Sequence, residues 1–267
     1  MKITPIFDPQ ESGRGMRVAA FMSGPGTNVI RLLEREKELE NEPSGSPFKV
    51  IFIFSDCSDG VSAGEKIALD AGIPYFSYDI RKFYSLKGLK RSHLTPEGMA
   101  ARKEFDSVAS RLIKAFDIDI IALGGYMSYL TLRRCVNVHP GDLSLRTPDE
   151  KRKYVGDYAV GDAIAHGETS LRASTIWTDA GVDTGPLLMV SSPLKVELPM
   201  PLPDLLKDQL TFKKVVDEHQ RRLKRIGDWE IFPLTVEMIA QGRFSLDENN
   251  NVYADGQPVS RGYRLEK

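Results

Sequence analysis

Asn137 and His139 stand two residues apart in the stretch VNVHPGDLSL, with Pro140 directly behind them. In a strand, side chains two apart point to the same side. A carboxamide and an imidazole therefore face together, and the proline ends the strand. An amide N–H suits an oxyanion, and an imidazole moves protons near neutral pH. A third group comes from TDAGVDTGP, where two glycines and a proline fix a tight loop with Asp183 near its tip. A carboxylate on a rigid loop can orient an imidazole and favour its charged form. Taken singly, each residue has a plainer role: a hydrogen-bonded histidine at a strand end, or an aspartate in a turn.

A fourth feature alters that balance. SGPGTN, Ser23 to Asn28, lies where a strand passes into a helix. Gly24 and Gly26 permit a tight turn, and the unpaired N–H groups of the helix start suit a phosphate. Thr27 or Asn28 could cap the helix or donate to that anion; a capped turn with no ligand fits equally. The run opens like the dinucleotide fingerprint G-x-G-x-x-G, and Asp56, ending the second strand, sits where a ribose-binding acid would. Ile30 stands near the third glycine, so a simple phosphate turn is favoured over a nicotinamide-dependent oxidoreductase.

The elements that must carry these residues alternate. MRVAAFMSG and FKVIFIFS read as buried strands, NVIRLLEREKELEN and SAGEKIALDAG as helices, and IPYFSYD as a third strand. That order predicts a parallel sheet with helices on both faces. Residues 81–96 form a basic insertion broken by glycine, followed by a helix to about Phe116. DIDIIALGGYM and CVNVH supply further strands. Residues 140–156 have no clear period and read as a long loop, of the kind that is usually functional or mobile. A helix at DYAVGDAIAHG, strands at RASTIWTD and PLLMVSSPLKV, a long charged helix over roughly 204–226, a helix at IFPLTVEMIAQG and a hairpin-like tail complete the chain. Residues 1–15 read as an irregular arm and 16–267 as one domain.

At 267 residues the chain buries a full core without disulfides or metal. Its 36 Lys and Arg balance 37 Asp and Glu, which argues against a general nucleic-acid partner. Cys57 and Cys135 form neither a disulfide framework nor a zinc site. The sequence carries no secretory signal and no membrane-length apolar run, so a cytoplasmic setting is expected, with the oligomeric state open between monomer and dimer.

NVHP, DAGVDTGP and SGPGTN resemble the motifs of the folate-dependent formyltransferase family. The resemblance runs in order through IIALGGYMSYL, DWEIFPLTVEMIAQGRFSL and YADGQPVSRGY. That tail is similar to the branch that formylates glycinamide ribonucleotide in purine synthesis, rather than the methionyl-tRNA branch. The absence of an N-terminal regulatory domain argues against the related formyltetrahydrofolate hydrolase. The resemblance implies an α/β, Rossmann-like fold with a mostly parallel twisted sheet flanked by helices. It also implies small-molecule substrates, with 10-formyltetrahydrofolate as co-substrate and no metal. It assigns catalysis to Asn137, His139 and Asp183, and substrate phosphate to Gly26, Thr27 and Asn28. Asp228 falls on the amine side of the substrate, while Met127, Tyr129, Asp179 and Val182 border the folate. The chain departs from the family in three places. GDLSLRTPDEKRKYVG replaces a shorter Ser-Leu-Leu-Pro run, Ser128 stands where arginine is frequent, and TSLRAS occupies the place of His-Gly-Thr-Ser. Formylation of another amine, such as an amino sugar nucleotide, and folate or phosphate binding without turnover are the remaining alternatives.

Overall fold

The computed structural model describes residues 2–58 and 60–265. In chain order its elements are β1 (Thr4–Pro5), α1 (Pro9–Ser12), β2 (Met16–Met22), α2 (Thr27–Glu40), β3 (Phe48–Ser55), α3 (Gly64–Ala71), β4 (Tyr75–Ser77), α4 (Ile80–Leu86) and α5 (Pro96–Ala115). Then come β5 (Ile120–Leu123), β6 (Cys135–His139), α6 (Ala159–Ala165), β7 (Ser170–Leu171), β8 (Ser174–Trp177), β9 (Leu187–Val190) and β10 (Leu194–Lys195). The chain ends with α7 (Leu202–Leu205), α8 (Gln209–Leu223), a π-helical turn (Lys224–Asp228), α9 (Trp229–Ala240), β11 (Phe244–Leu246), β12 (Val252–Ala254), β13 (Gln257–Pro258) and β14 (Tyr263–Arg264). The fold is mixed α/β with a large, mostly parallel sheet. Among the described residues no helix is long and apolar enough to cross a membrane.

The chain divides into two compact units. The N-terminal unit comprises Phe7–Asn137 and Val236–Gly242; the C-terminal unit comprises residues 2–6, Val138–Thr235 and residues 243–265. In the N-terminal unit the strands run parallel in the order β6–β5–β2–β3–β4. Ala19, Phe21, Phe52, Phe54, Ile121 and Leu123 form one apolar face with Ala109 of α5. The alternate residues, Ala20 and Met22 among them, turn to the other face, where α2 and α3 pack. This two-sided burial explains why the strands read as near-continuous apolar runs. The C-terminal unit pairs β8 with β9 antiparallel and adds β14 parallel to β9. Its second sheet, β1–β11–β12–β13, is antiparallel.

Several elements differ from their sequence reading. Within the 1–15 arm the described residues, 2–15, are ordered: β1 pairs with β11, and Asp8 caps α1 by accepting from the backbone N–H groups of Gln10 and Glu11. The 81–96 insertion begins as α4, capped by Asp79, whose Phe83 and Tyr84 bury against Ala101 and Phe105. The expected 204–226 helix is two helices, because Asp208 turns its side chain onto Thr211 and starts α8 afresh. PLLMVSSPLKV divides into β9 and β10. Between them Ser191 accepts the Ala173 N–H with its hydroxyl and Pro193 interrupts the run.

One buried group in the N-terminal unit gives pH-dependent stability. Glu36 on α2 is 8% exposed and accepts the Val50 N–H at 2.9 Å. Burial pushes its pKa from 4.5 up to about 7, against the pull of that hydrogen bond. A carboxyl whose folded pKa is raised binds its proton more tightly when folded. Its contribution is complete below the unfolded value and is lost as pH rises through about 7. Converted at 1.36 kcal/mol per pH unit, the loss is at most about 3 kcal/mol. Glu36→Gln keeps an acceptor for Val50 and removes the charge. It is expected to unfold at higher urea than the parent at pH 8.5 and to converge with it near pH 5. The same difference at both pH values would refute the assignment.

Candidate active site

β6 ends at His139, as the proline behind it requires, and the ring is 5% exposed. In the C-terminal unit the structure brings His139 to Asp183: Nδ1 lies 3.3 Å from Oδ2. The other ring nitrogen, Nε2, lies 3.0 Å from the carbonyl oxygen of Tyr154. Both nitrogens therefore face oxygen acceptors, and only a ring protonated twice can donate to both. Asp183 sits between β8 and β9 with φ 54°, in the left-handed region that a non-glycine residue adopts at a cost. Asn137 is half-buried and pairs in register with Leu123 of β5 in the N-terminal unit. Strand alternation gives it the same side of β6 as His139.

The loop after Pro140 supplies groups that the motifs did not announce. Gly156 N–H donates to Asp183 Oδ2 at 2.8 Å. Arg152 donates through Nη1 to the Asp183 carbonyl and through Nη2 to the Gly185 carbonyl. Tyr154 is 1% exposed, and its hydroxyl donates to Glu168 at 2.6 Å on the oxygen that Lys153 also reaches. Burial pushes the Tyr154 phenol up to about 12. The chain must also approach closely at two glycines. A Cβ on Gly141 would lie 2.7 Å from His139 Nε2, and one on Gly185 would lie 2.0 Å from the Trp177 carbonyl oxygen. The usable sequence signal was the departure of this loop from the family run.

In the N-terminal unit, Gly26 adopts φ 65° at the start of α2, and a Cβ there would meet Met22 and Ile67. No side chain caps the helix. Of the two roles open to Thr27 or Asn28, capping does not occur, because a left-handed glycine, Gly26, holds the cap position. Among the described residues, Thr27 Oγ1 and Asn28 Oδ1 are buried with no hydrogen-bond partner. Buried polar atoms normally find partners; of these two, the Thr27 hydroxyl can donate to an anion, whereas Asn28 Oδ1 can only accept. Asp56 is 2% exposed and accepts from the Ser128 hydroxyl and weakly from Cys57. Its carboxylate is closed off by Ser128 and is not presented to a ribose. Burial and Asp56 push the Cys57 thiol up to about 11, which makes it a poor nucleophile.

The other expected site residues occupy varied surroundings. Met127 is 68% exposed and fixed by its backbone N–H to Ser23 Oγ at 2.9 Å. Tyr129 stacks on His93 of the basic insertion, centroids 4.4 Å apart. In the C-terminal unit Asp179 folds its own loop, accepting from Gly181 N–H and the Thr184 hydroxyl, and Val182 is 53% exposed. Asp228 is 5% exposed at the end of the π-helical turn, a feature frequent at functional sites.

The described residues form a mixed α/β fold in which a strand-end histidine meets a loop aspartate. The chain belongs to the formyl transferase family, whose profile matches residues 16–196. It is 23% identical over 258 residues to the phosphoribosylglycinamide formyltransferase of Haemophilus influenzae, covering 94% of this chain and 99% of that protein. It is 28% identical over 238 residues to the trifunctional purine biosynthetic protein adenosine-3 of Drosophila melanogaster. That match covers 86% of this chain, which spans only 14% of the Drosophila protein's length. Among solved structures, the phosphoribosylglycinamide formyltransferase of Coxiella burnetii superposes with a TM-score of 0.65 at 24% identity, covering 95% and 100% of the two chains. That of Anaplasma phagocytophilum gives 0.66 at 19% identity, covering 94% and 99%.

Proposed function

We propose that this chain transfers a formyl group from 10-formyltetrahydrofolate to the primary amine of glycinamide ribonucleotide, a step of purine synthesis. The observation that carries the reading is the buried His139–Asp183 contact, 3.3 Å between Nδ1 and Oδ2, at the end of a strand that also bears Asn137. The near full-length likeness to the Haemophilus influenzae enzyme supports the choice of acceptor. Residues 16–267 act as one formyltransferase domain in this reading; the family match itself runs through segments of both units. The partners are small molecules and the setting is cytoplasmic.

The amine nitrogen attacks the formyl carbon, and the carbonyl electron pair moves onto oxygen. The Asn137 amide and the protonated His139 donate to that oxyanion, the ring exchanging the Tyr154 carbonyl for it at Nε2. Preorganised donors of this kind typically contribute on the order of a hundredfold each. As the bond from carbon to the folate nitrogen breaks, the proton lost by the attacking amine passes to that nitrogen. Asp183 keeps the ring oriented during this relay. Gly26, Thr27 and Asn28 hold the substrate phosphate, a role suited to the backbone N–H groups that open α2 and to the Thr27 hydroxyl, which can donate to it. Asp228 meets the substrate amine. Met127, Tyr129, Asp179 and Val182 are the folate-side residues in this reading, and the Met127 and Val182 side chains are exposed.

The test is to incubate the purified full chain with both substrates and follow folate absorbance. Tetrahydrofolate and formylglycinamide ribonucleotide should appear in equal amounts. Turnover with an amino sugar nucleotide instead would move the acceptor. Binding of folate without product from any amine would leave a binding protein and reject the reading.

A further inference from the structure

We propose that Arg152 is a positioning residue for this transfer: its guanidinium bridges the Asp183 and Gly185 carbonyls and thereby sets how the Asp183 carboxylate meets His139. The inference rests on the proposed formyl transfer for its kinetic consequence, and on the contacts alone for its structural one.

The Asp183 backbone is the weak point of the pair. A non-glycine residue at φ 54° persists only where its surroundings over-determine it. Arg152 does this from outside the turn. Its Nη1 donates to the Asp183 carbonyl, and its Nη2 reaches the Gly185 carbonyl at 2.5 Å, one nitrogen on either side of Thr184. A planar fork fixes both peptide groups at once, which a lysine ammonium cannot do with the same geometry. Among the described residues Arg152 forms no ion pair with a carboxylate. Burial pulls it below the ordinary arginine value, and Arg146 adds to that, against the pull of Asp183 and Asp179. A half-buried cation held mainly by carbonyl oxygens is costly for a turn that only needs closing.

Its neighbours act on the same pair. Gly156 N–H donates to the Asp183 carboxylate, and the Tyr154 carbonyl engages His139 Nε2. Arg152 to Gly156 is thus one strap that touches both members of the pair, and Arg152 ties it to the loop carrying Asp183.

The experiment compares the full chain with Arg152→Ala, Arg152→Gln and Arg152→Lys. It measures kcat and KM for both substrates, thermal unfolding, and the imidazole 15N shifts of His139 at one fixed pH without ligand. Displacing a catalytic group by about 1 Å can cost on the order of a hundredfold. Arg152→Ala and Arg152→Gln are expected to lose about that much in kcat, with KM within about twofold, and to shift the His139 ring signals. Guanidinium ion in the buffer should partly restore Arg152→Ala. Arg152→Lys, which keeps the charge but not the fork, should fall between. Wild-type kcat together with wild-type ring shifts in Arg152→Ala would overturn the proposal; should that variant not fold, the same outcome in Arg152→Lys would. If the parent chain forms no formylated product, the transfer reading fails, and the ring shifts alone decide whether Arg152 sets the pair.

Discussion

His139→Ala is expected to lower formyl transfer on the order of a thousandfold while the protein stays folded. The change removes the group that would donate to the oxyanion and relay the amine proton. It also leaves the Tyr154 carbonyl without its ring partner and Asp183 with only the Gly156 N–H of its two partners at that oxygen. Leaving such buried groups unpaired costs about 1–3 kcal/mol, which the chain can absorb if its stability is ordinary. Single-turnover measurement with both substrates saturating would isolate the chemical step, and far-ultraviolet circular dichroism would check the fold. Turnover within a fewfold of the parent would show that the imidazole has no part in the chemistry.

Asp183→Asn and Asp183→Ala are expected to separate activity from stability. Both remove the carboxylate that lies 3.3 Å from the ring's Nδ1 and, in the proposed mechanism, orients it, so both should lose roughly a hundredfold in kcat. Asparagine tolerates the left-handed backbone and keeps an oxygen for the Gly156 N–H. Its unfolding free energy should lie within about 1 kcal/mol of the parent. Alanine loses that acceptor and is strained at φ 54°, so it should be destabilised by about 2–4 kcal/mol. Equal stability of the two variants would mean that the Gly156 contact and the turn strain are unimportant. Retained kcat in Asp183→Asn would mean that the negative charge is.

Local pattern carried much of this protein. The apolar runs of β2 and β3 imply burial on both faces, and the helical period between them makes their connection a parallel crossover. Pro140 ends β6 where it must, and Gly72 ends α3 in a left-handed conformation. The caps at Asp79 and Asp208 rest on equally short-range contacts, yet they are absent from the sequence reading, because charge runs around them obscure the breaks they make. Each of these features is decided by residues within a few positions of one another.

Neighbouring residues alone set the strand that presents Asn137 and His139, the glycine turn before α2, and the tight loop that holds Asp183. Tertiary structure alone decided what those groups meet. Nothing near Tyr154 in the chain says that its carbonyl faces His139, or that Arg152 grips a loop 31 residues away. β14 likewise joins β9 in parallel after a chain separation that no turn signal spans. The reason is physical: turn and strand preferences act over a few bonds, whereas these contacts form only once burial has brought distant segments to the same place and unpaired polar groups must be satisfied there.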